Sequence, residues 1–425
     1  MADAGNQVLP PPPRSEGRER SRSHHLSRRA SFWAVAFGFL SLTALSTAPS
    51  ALYGLYAQRD GFSLLTVTLV YAVYVVGVLV SLLLAGHISD WYGRRRVLAA
   101  ALVIAIASAI VFIASESLAG LVVGRIVTGL AIGTGIATAT AYVSDLDAPP
   151  NGVPTRRAGI VSTLANVGGL ALGPLIAGLL AVHAANPLRL PYLVLAAAIA
   201  VGVVAVLGSA EGHQPIQPRP PYHPQRFRAP SEGRASFVAA LTGAFMSFAV
   251  FGLFAGLVGT LLAETFHHTS PALIGLAVFV TFGSGAVAQT TTTAWPVRRV
   301  FLTGTGSAII GLCILVASAW MSSPNLALFF LGGVITGAGC GGIFRGSLQT
   351  VISVSTVEDR AGVLATFFAA GYAGISVPVV GAGVAIQFVS PRVTLLVFGV
   401  AVGIGLLSVL PILVRRCGGG SARAS

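Results

Sequence analysis

Twelve stretches of the chain stay apolar long enough to cross a bilayer, and nearly every charged or proline-rich cluster falls between them. At about 20 apolar residues per crossing, the pattern predicts helices over 32–56 (α1), 64–86 (α2), 97–115 (α3), 119–143 (α4), 158–183 (α5), 191–209 (α6), 236–262 (α7), 272–294 (α8), 300–320 (α9), 325–350 (α10), 361–389 (α11) and 392–414 (α12). The expected fold class is an all-α membrane protein of twelve transmembrane helices in two pseudo-symmetric six-helix bundles. Trp33, Trp91, Trp295 and Trp320 all fall at predicted helix ends, where an amphipathic ring prefers the headgroup level.

Between α6 and α7 the composition changes to EGHQPIQPRPPYHPQRFRAPSEGR, proline-rich, basic and without apolar periodicity, as an extended linker is. The expected division is therefore a solvated tail over 1–31, a first bundle over 32–210, a linker over 211–235, a second bundle over 236–414 and a tail over 415–425. Across the linker a weak repeat is visible. Arg157-Ala-Gly opening α5 recurs as Arg360-Ala-Gly opening α11, and Gly129-xxx-Gly133 of α4 recurs as Gly337-xxx-Gly341 of α10. Small residues at such spacing let helix backbones approach closely.

Of 425 residues, 54% are hydrophobic and only 9% charged, with mean hydropathy +0.83, which excludes a soluble globular class. The positive charges are all arginines, with a net charge of +13, and they alternate from loop to loop. The N-terminal tail, Arg94 to Arg96, Arg156 and Arg157, the linker, Arg298 and Arg299, Arg360 and the C-terminal tail lie on one side; Arg59, Arg189 and Arg392 lie on the other. The positive-inside rule then puts both termini in the cytoplasm of a cell-membrane protein. Charges divided among short loops make no nucleic-acid patch. The first thirty residues lack the apolar stretch of a cleavable signal. Cys313, Cys340 and Cys417 form neither a disulfide framework nor a metal-type spacing, so no cofactor is expected.

The connection between α2 and α3 reads Gly86-His-Ile-Ser-Asp90-Trp-Tyr-Gly93-Arg94-Arg95-Arg96. A carboxylate, turn glycines and guanidinium groups in one short headgroup-level hairpin suit a latch between bundles. Asp90 is placed to accept hydrogen bonds from the first amides of α11 near Gly362, and Arg94 or Arg95 to pair with Asp145 at the end of α4. Such contacts would form only while the bundles close on the inner side.

On this hairpin and two further motifs, the chain resembles the major facilitator superfamily from residue 32 to 414. The hairpin is similar to the family's first signature, GxxxDxxG followed by basic residues. Leu121-xxx-Arg125-xxx-Gly129 of α4 resembles the second, and Gly169-xxx-Gly173-Pro174-xxx-Gly178 of α5 the third, which is associated with antiporters that export compounds. Trp91 stands in a slot that is usually basic, and Ala177-Gly178 replaces a glycine pair. The resemblance implies alternating access around a substrate site between the halves, and points toward twelve-helix drug/proton antiporters.

Arg125 lies inside α4, where a charge costs roughly 2.5–3.5 kcal/mol on insertion scales, so it is expected to face the cavity and bind an anionic group or take part in proton coupling, or else to cap backbone carbonyls or snorkel outward. No carboxylate lies near the middle of any predicted helix, which leaves Asp60 and Glu264, at outer ends, as candidate proton carriers. Arg59 and Glu264 are placed to form an outer gate. Pro49 interrupts α1; with Ser46, Thr47, Ser50, Tyr53 and Tyr56 around it, Asn166 in α5, Phe248 and Phe251 in α7, Gln289 in α8 and Phe367, Phe368 and Tyr372 in α11, an apolar pocket with few polar groups is expected. The leading function is proton-coupled export of a small organic molecule by a monomer; the alternatives are import of an organic anion with Arg125 as counter-ion, and a membrane receptor. Membrane enzymes need clustered catalytic residues, and no such cluster is visible.

Overall fold

The computed structural model describes residues 26–85, 88–149, 152, 153, 155–212, 224–356 and 358–416. Among them twelve helices are long and apolar enough to cross a membrane: α1 Arg28–Ala51, α2 Leu64–Ala85, α3 Arg94–Ala114, α4 Leu118–Asp147, α5 Arg156–His183, α6 Leu190–Leu207, α7 Arg234–Phe266, α8 Pro271–Ala294, α9 Val297–Trp320, α10 Leu326–Val354, α11 Arg360–Ala385 and α12 Pro391–Val414. Polar residues at the ends do the capping. Ser27, Ser117, Thr155 and Asn325 each accept a hydrogen bond from an amide in the first turn of α1, α4, α5 and α10.

Several boundaries differ from the hydropathy pattern, α4 and α11 also ending at Asp147 and Ala385 in place of 143 and 389, and three of the differences have local reasons. The stretch 32–56 is broken: α1 tightens into a 3-10 turn at Ala48–Ala51, and a separate helix, Tyr53–Asp60, carries the chain on until Gly61 ends it in the left-handed region at φ 68°. Pro49 is the cause, since it has no N–H to continue the helical ladder. The helices α7 and α10 run past their predicted ends, to Phe266 and Val354, because helical bonding continues beyond the apolar span.

The glycine repeat has a structural meaning. Gly129 and Gly133 of α4 face Gly77 and Ser81 of α2 so closely that a Cβ would overlap the α2 backbone or Ser81. Gly337 and Gly341 of α10 stand in the same relation to Thr281 and Gly285 of α8. The two seams, α2 with α4 and α8 with α10, are equivalent six helices apart, which makes the halves related bodies. Outward-facing apolar side chains such as Val204 (73% exposed) and Ile404 (63% exposed) fit a lipid surface.

The halves meet mainly at the end away from the linker. There α5 lies against α8, with Gly178 under the Pro271 carbonyl and Gly275 under that of Pro174, and α11 lies against α2, with Gly383 over Thr68. At the linker end, the described contacts between halves are few: Arg156 donates to the Thr293 hydroxyl, and Gln225 of the linker spans the gap between α2 and α11.

Candidate substrate cavity

The geometry just described leaves a cavity of about 470 Å³ between the halves, extending from mid-helix toward the linker end. One wall is aromatic: Phe248 and Phe251 of α7, Phe282 of α8, Phe344 of α10 and Phe368 and Tyr372 of α11. The ring of Phe248 lies 5.1 Å from Phe344 and 6.1 Å from Tyr372, and Tyr372 lies 6.4 Å from Tyr74 of α2, so the wall reaches across both halves. The opposite wall supplies the polar groups Ser46, Thr47, Arg125, Asn166 and Thr140, and Gln289 of α8, expected from the sequence, and Gln225 of the linker add two more.

Among the described residues Arg125 is the one charged residue lining this cavity, and it is 1% exposed. Its guanidinium donates to the Ser46 carbonyl at 2.6 Å and the Tyr71 carbonyl at 3.2 Å. The rings of Tyr71 and Tyr74 face it with centroids at 5.3 and 4.8 Å. Ser46 stands three residues before Pro49, which has no N–H for the 3-10 turn, so the proline break frees the acceptor that Arg125 takes. The Nε–H of Arg125 has no hydrogen-bond partner, nor does Oδ1 of Asn166. Asn166 sits in a π-helical turn, Leu164–Gly168, within α5; such turns widen the helix and recur at functional positions. Two unpaired polar atoms thus border an otherwise apolar chamber.

The other sequence-selected residues fall into separate places. Tyr53 and Tyr56 are buried but do not line the cavity; they lie in the helix after the Pro49 break, on the side away from the linker. Ser50 and Phe367 are also outside the lining. Asp60 is at the far end, where Arg59 holds it at 2.7 Å and keeps its carboxyl below the usual carboxylate range. Arg59 also pairs with Glu116, which Arg189 holds at 2.7 Å. The expected Arg59–Glu264 gate is therefore not formed: Arg59 is taken by acids of its own half, and Glu264 is exposed. The third-signature residues, Gly169, Gly173, Pro174 and Gly178, make the seams of α5 with α1 and α8.

In the hairpin, Gly86 lies outside the described residues. Asp90 pairs with Arg94 at 2.6 Å, and Arg94 reaches Asp145 at 3.3 Å, a brace contained within the first half. Gly93 caps α3 with φ 90°, and a Cβ there would stand 3.0 Å from Glu211, which also accepts the Arg95 amide at 3.2 Å. Asp90 does not reach the start of α11 in this conformation. The face of Gly362 is covered by Arg226 and Arg228 of the linker, and Gln225 bridges the opening: its amide donates to Leu83 of α2 and its side chain to Ala361 of α11, both at 2.8 Å. With the far end sealed, the linker ends of the halves stand apart and the linker fills the place foreseen for the latch. Gln225, Glu211 and the aromatic pair Phe282 and Phe344 had no signal beyond an apolar run or a structureless linker.

The Major Facilitator Superfamily profile matches residues 34–241. The chain is 29% identical over 292 residues to the tetracycline resistance protein, class C, of Escherichia coli, covering 66% of this chain and 69% of that one. In fold it is similar to the human organic anion transporter MFSD10 (TETRAN), with TM-score 0.66 at 16% identity over 91% of this chain and 100% of that one. It is also similar to a POT family transporter in complex with 5-aminolevulinic acid, with TM-score 0.73 at 13% identity over 92% and 96%.

Proposed function

We propose, from the premise that this chain belongs to the major facilitator superfamily of membrane transporters, that it exports a small organic molecule by alternating access in exchange for protons. The observation that carries the reading is the cavity between two related halves, shut at one end by the glycine seams of α5–α8 and α2–α11 and reaching toward the other. Its size lies in the range of small-molecule sites and its aromatic wall suits an apolar or amphipathic body. Export is supported by the third-signature glycines and by the likeness to a resistance protein. The arginine-rich linker end is assigned to the cytoplasm, so this conformation faces inward, and the protein works as a monomer in the cell membrane.

A second reading is favoured by Arg125. A buried guanidinium with an unpaired Nε–H and no carboxylate along the cavity lining suits an anionic substrate, moved in either direction, with Arg125 as counter-ion. Proteoliposomes with an imposed pH gradient and a compound panel test both. Proton movement that depends on one compound supports exchange; saturable flux of organic acids that ignores the gradient supports the second reading; no flux of any compound, with tight binding, removes transport in favour of a receptor.

A further inference from the structure

Beyond the cavity, toward the far end, the first half contains a run of buried hydroxyls with no hydrogen-bond partners. Ser50 Oγ, Tyr53 Oη, Tyr56 Oη and Tyr192 Oη are all buried and unpaired, as is Nε of Arg125. An unsatisfied buried hydroxyl costs about 1–3 kcal/mol, and polar interior sites of this kind are where ordered water binds. Five such atoms in one region need a common explanation.

Their order in space supplies it. Ser50, Tyr53, Tyr56 and Arg59 follow at three-residue spacing through the 3-10 turn and the helix Tyr53–Asp60, so each is the neighbour of the next one turn on and the series winds around the helix over about 14 Å at 1.5 Å per residue. At the inner end Tyr53 lies in the field of Arg125. At the outer end Tyr56 faces the phenol of Tyr192 short of a regular hydrogen bond, and lies near Glu116. The ring of Tyr192 is fixed by stacking on Phe112 at 4.7 Å. Beyond Tyr56 stands Arg59, 5.8 Å above its ring and held by Asp60 and Glu116 at the surface.

We propose that this ladder, with water between its rungs, is a proton path joining the Asp60–Glu116 carboxylates at the far end to the Arg125 side of the cavity. The reading deepens the proton exchange proposed above and rests on it. A proton taken up by a surface carboxylate passes to the nearest water or hydroxyl oxygen while that group gives its own proton to the next. Rotation then restores each hydroxyl. One proton enters at the carboxylates, one leaves at the cavity, and no tyrosine changes charge, as phenols with ordinary values near 10 require. Arg59 stands at the entrance ion-paired to Asp60 and Glu116, and its hydrogen bond holds the Asp60 carboxyl below its usual range, which opposes proton uptake there. It keeps the path from leaking while the cavity is open to the linker side.

The test needs no transported compound. The purified full chain is reconstituted in liposomes holding a pH dye, and proton entry is driven by a potassium diffusion potential. Wild-type vesicles are expected to stay tight, and Arg59→Gln to raise proton entry about tenfold, as for a carboxyl released by one pKa unit, with an enclosed larger dye retained. Adding Tyr53→Phe and Tyr56→Phe, which keep the ring volume, should return entry to the wild-type rate. No leak in Arg59→Gln, a leak that survives both Phe substitutions, or loss of the larger dye would each overturn the path. Hydroxyl-radical footprinting of the wild type checks the water directly: Tyr53, Tyr56 and Tyr192 should be labelled despite their burial while the apolar-packed Phe254 and Phe329 are not, and unlabelled tyrosines would refute it. Failure of proton exchange itself would appear instead in the compound panel, as flux without proton movement.

Discussion

Arg125 brings two opposing energies to one position. Burying the charge costs roughly 2.5–3.5 kcal/mol, while its hydrogen bonds to the Ser46 and Tyr71 carbonyls, at about 1.5–3 kcal/mol each for a charged donor, offset that cost. Replacing it with alanine removes both together, so Arg125→Ala should move the melting temperature in detergent by only a few degrees while transport in proteoliposomes falls at least about tenfold, a loss of some 1.4 kcal/mol in the transport step. A collapse of the melting temperature with unchanged transport per folded molecule would make the residue structural. Arg125→Lys should recover stability and only part of the transport, because a point charge cannot span two carbonyls as a planar fork does. The presence of this residue in a membrane helix was legible from hydropathy alone. Capping of backbone carbonyls was among its expected roles, but which carbonyls it takes was not legible, since a backbone carbonyl leaves no mark in a sequence, and the π-turn that holds Asn166 leaves none either. Tyr53 and Tyr56 stood out by type, yet the 3-10 break at Ala48–Ala51 turns them away from the cavity.

Between residue and fold, the α2–α3 hairpin shows an element whose function depends on its surroundings. Gly93 combines φ 90° with a carboxylate 3.0 Å from the position of a Cβ. Gly93 has ψ 144° as well, an extended positive-φ conformation that only glycine adopts readily, so Gly93→Ala should cost about 1–3 kcal/mol from the backbone alone, read as a lowered melting temperature. Glu211→Gln should lower it less, since the partly exposed Arg95–Glu211 pair is worth about 0–1 kcal/mol. A Gly93→Ala protein as stable as wild type would show that the hairpin relaxes freely. The linker element makes a complementary prediction. Among the described residues Gln225 joins Leu83 to Ala361 through its amide and side chain, so Gln225→Ala should leave the fold intact and speed the reaction of a thiol reagent with a cysteine placed at Ala137 in the cavity; an unchanged labelling rate would mean that the bridge does not screen the opening. The helix positions were legible because hydropathy alone sets them. The linker's docking was not, because a proline-rich segment has no period from which a partner face can be read.

At the scale of the whole molecule, the two related halves touch along unlike lengths, and that asymmetry fixes what motion is possible. The α5–α8 pair is joined near both ends, by the Gly178 and Gly275 seam and by Arg156 on Thr293, whereas α2 and α11 touch at the far end and are bridged at the other by Gln225. Rocking about α5–α8 would therefore part Thr68 from Gly383 as the linker ends of α2 and α11 come together, which would drive Gln225 out and bring Asp90 toward Gly362. A Cβ on Gly383 would stand 3.0 Å from that of Thr68, against about 3.8 Å in a disulfide, a gap closed by a small backbone shift. Thr68→Cys with Gly383→Cys, in a chain whose Cys313, Cys340 and Cys417 are replaced by serine, should oxidise readily, lose transport, and regain it on reduction, while ligand binding from the linker side persists. Full transport with the disulfide formed would show that the far end never opens, and alternating access about this axis would have to be given up. Because the bond joins two seams rather than any cavity residue, the result reports on the motion and not on the substrate.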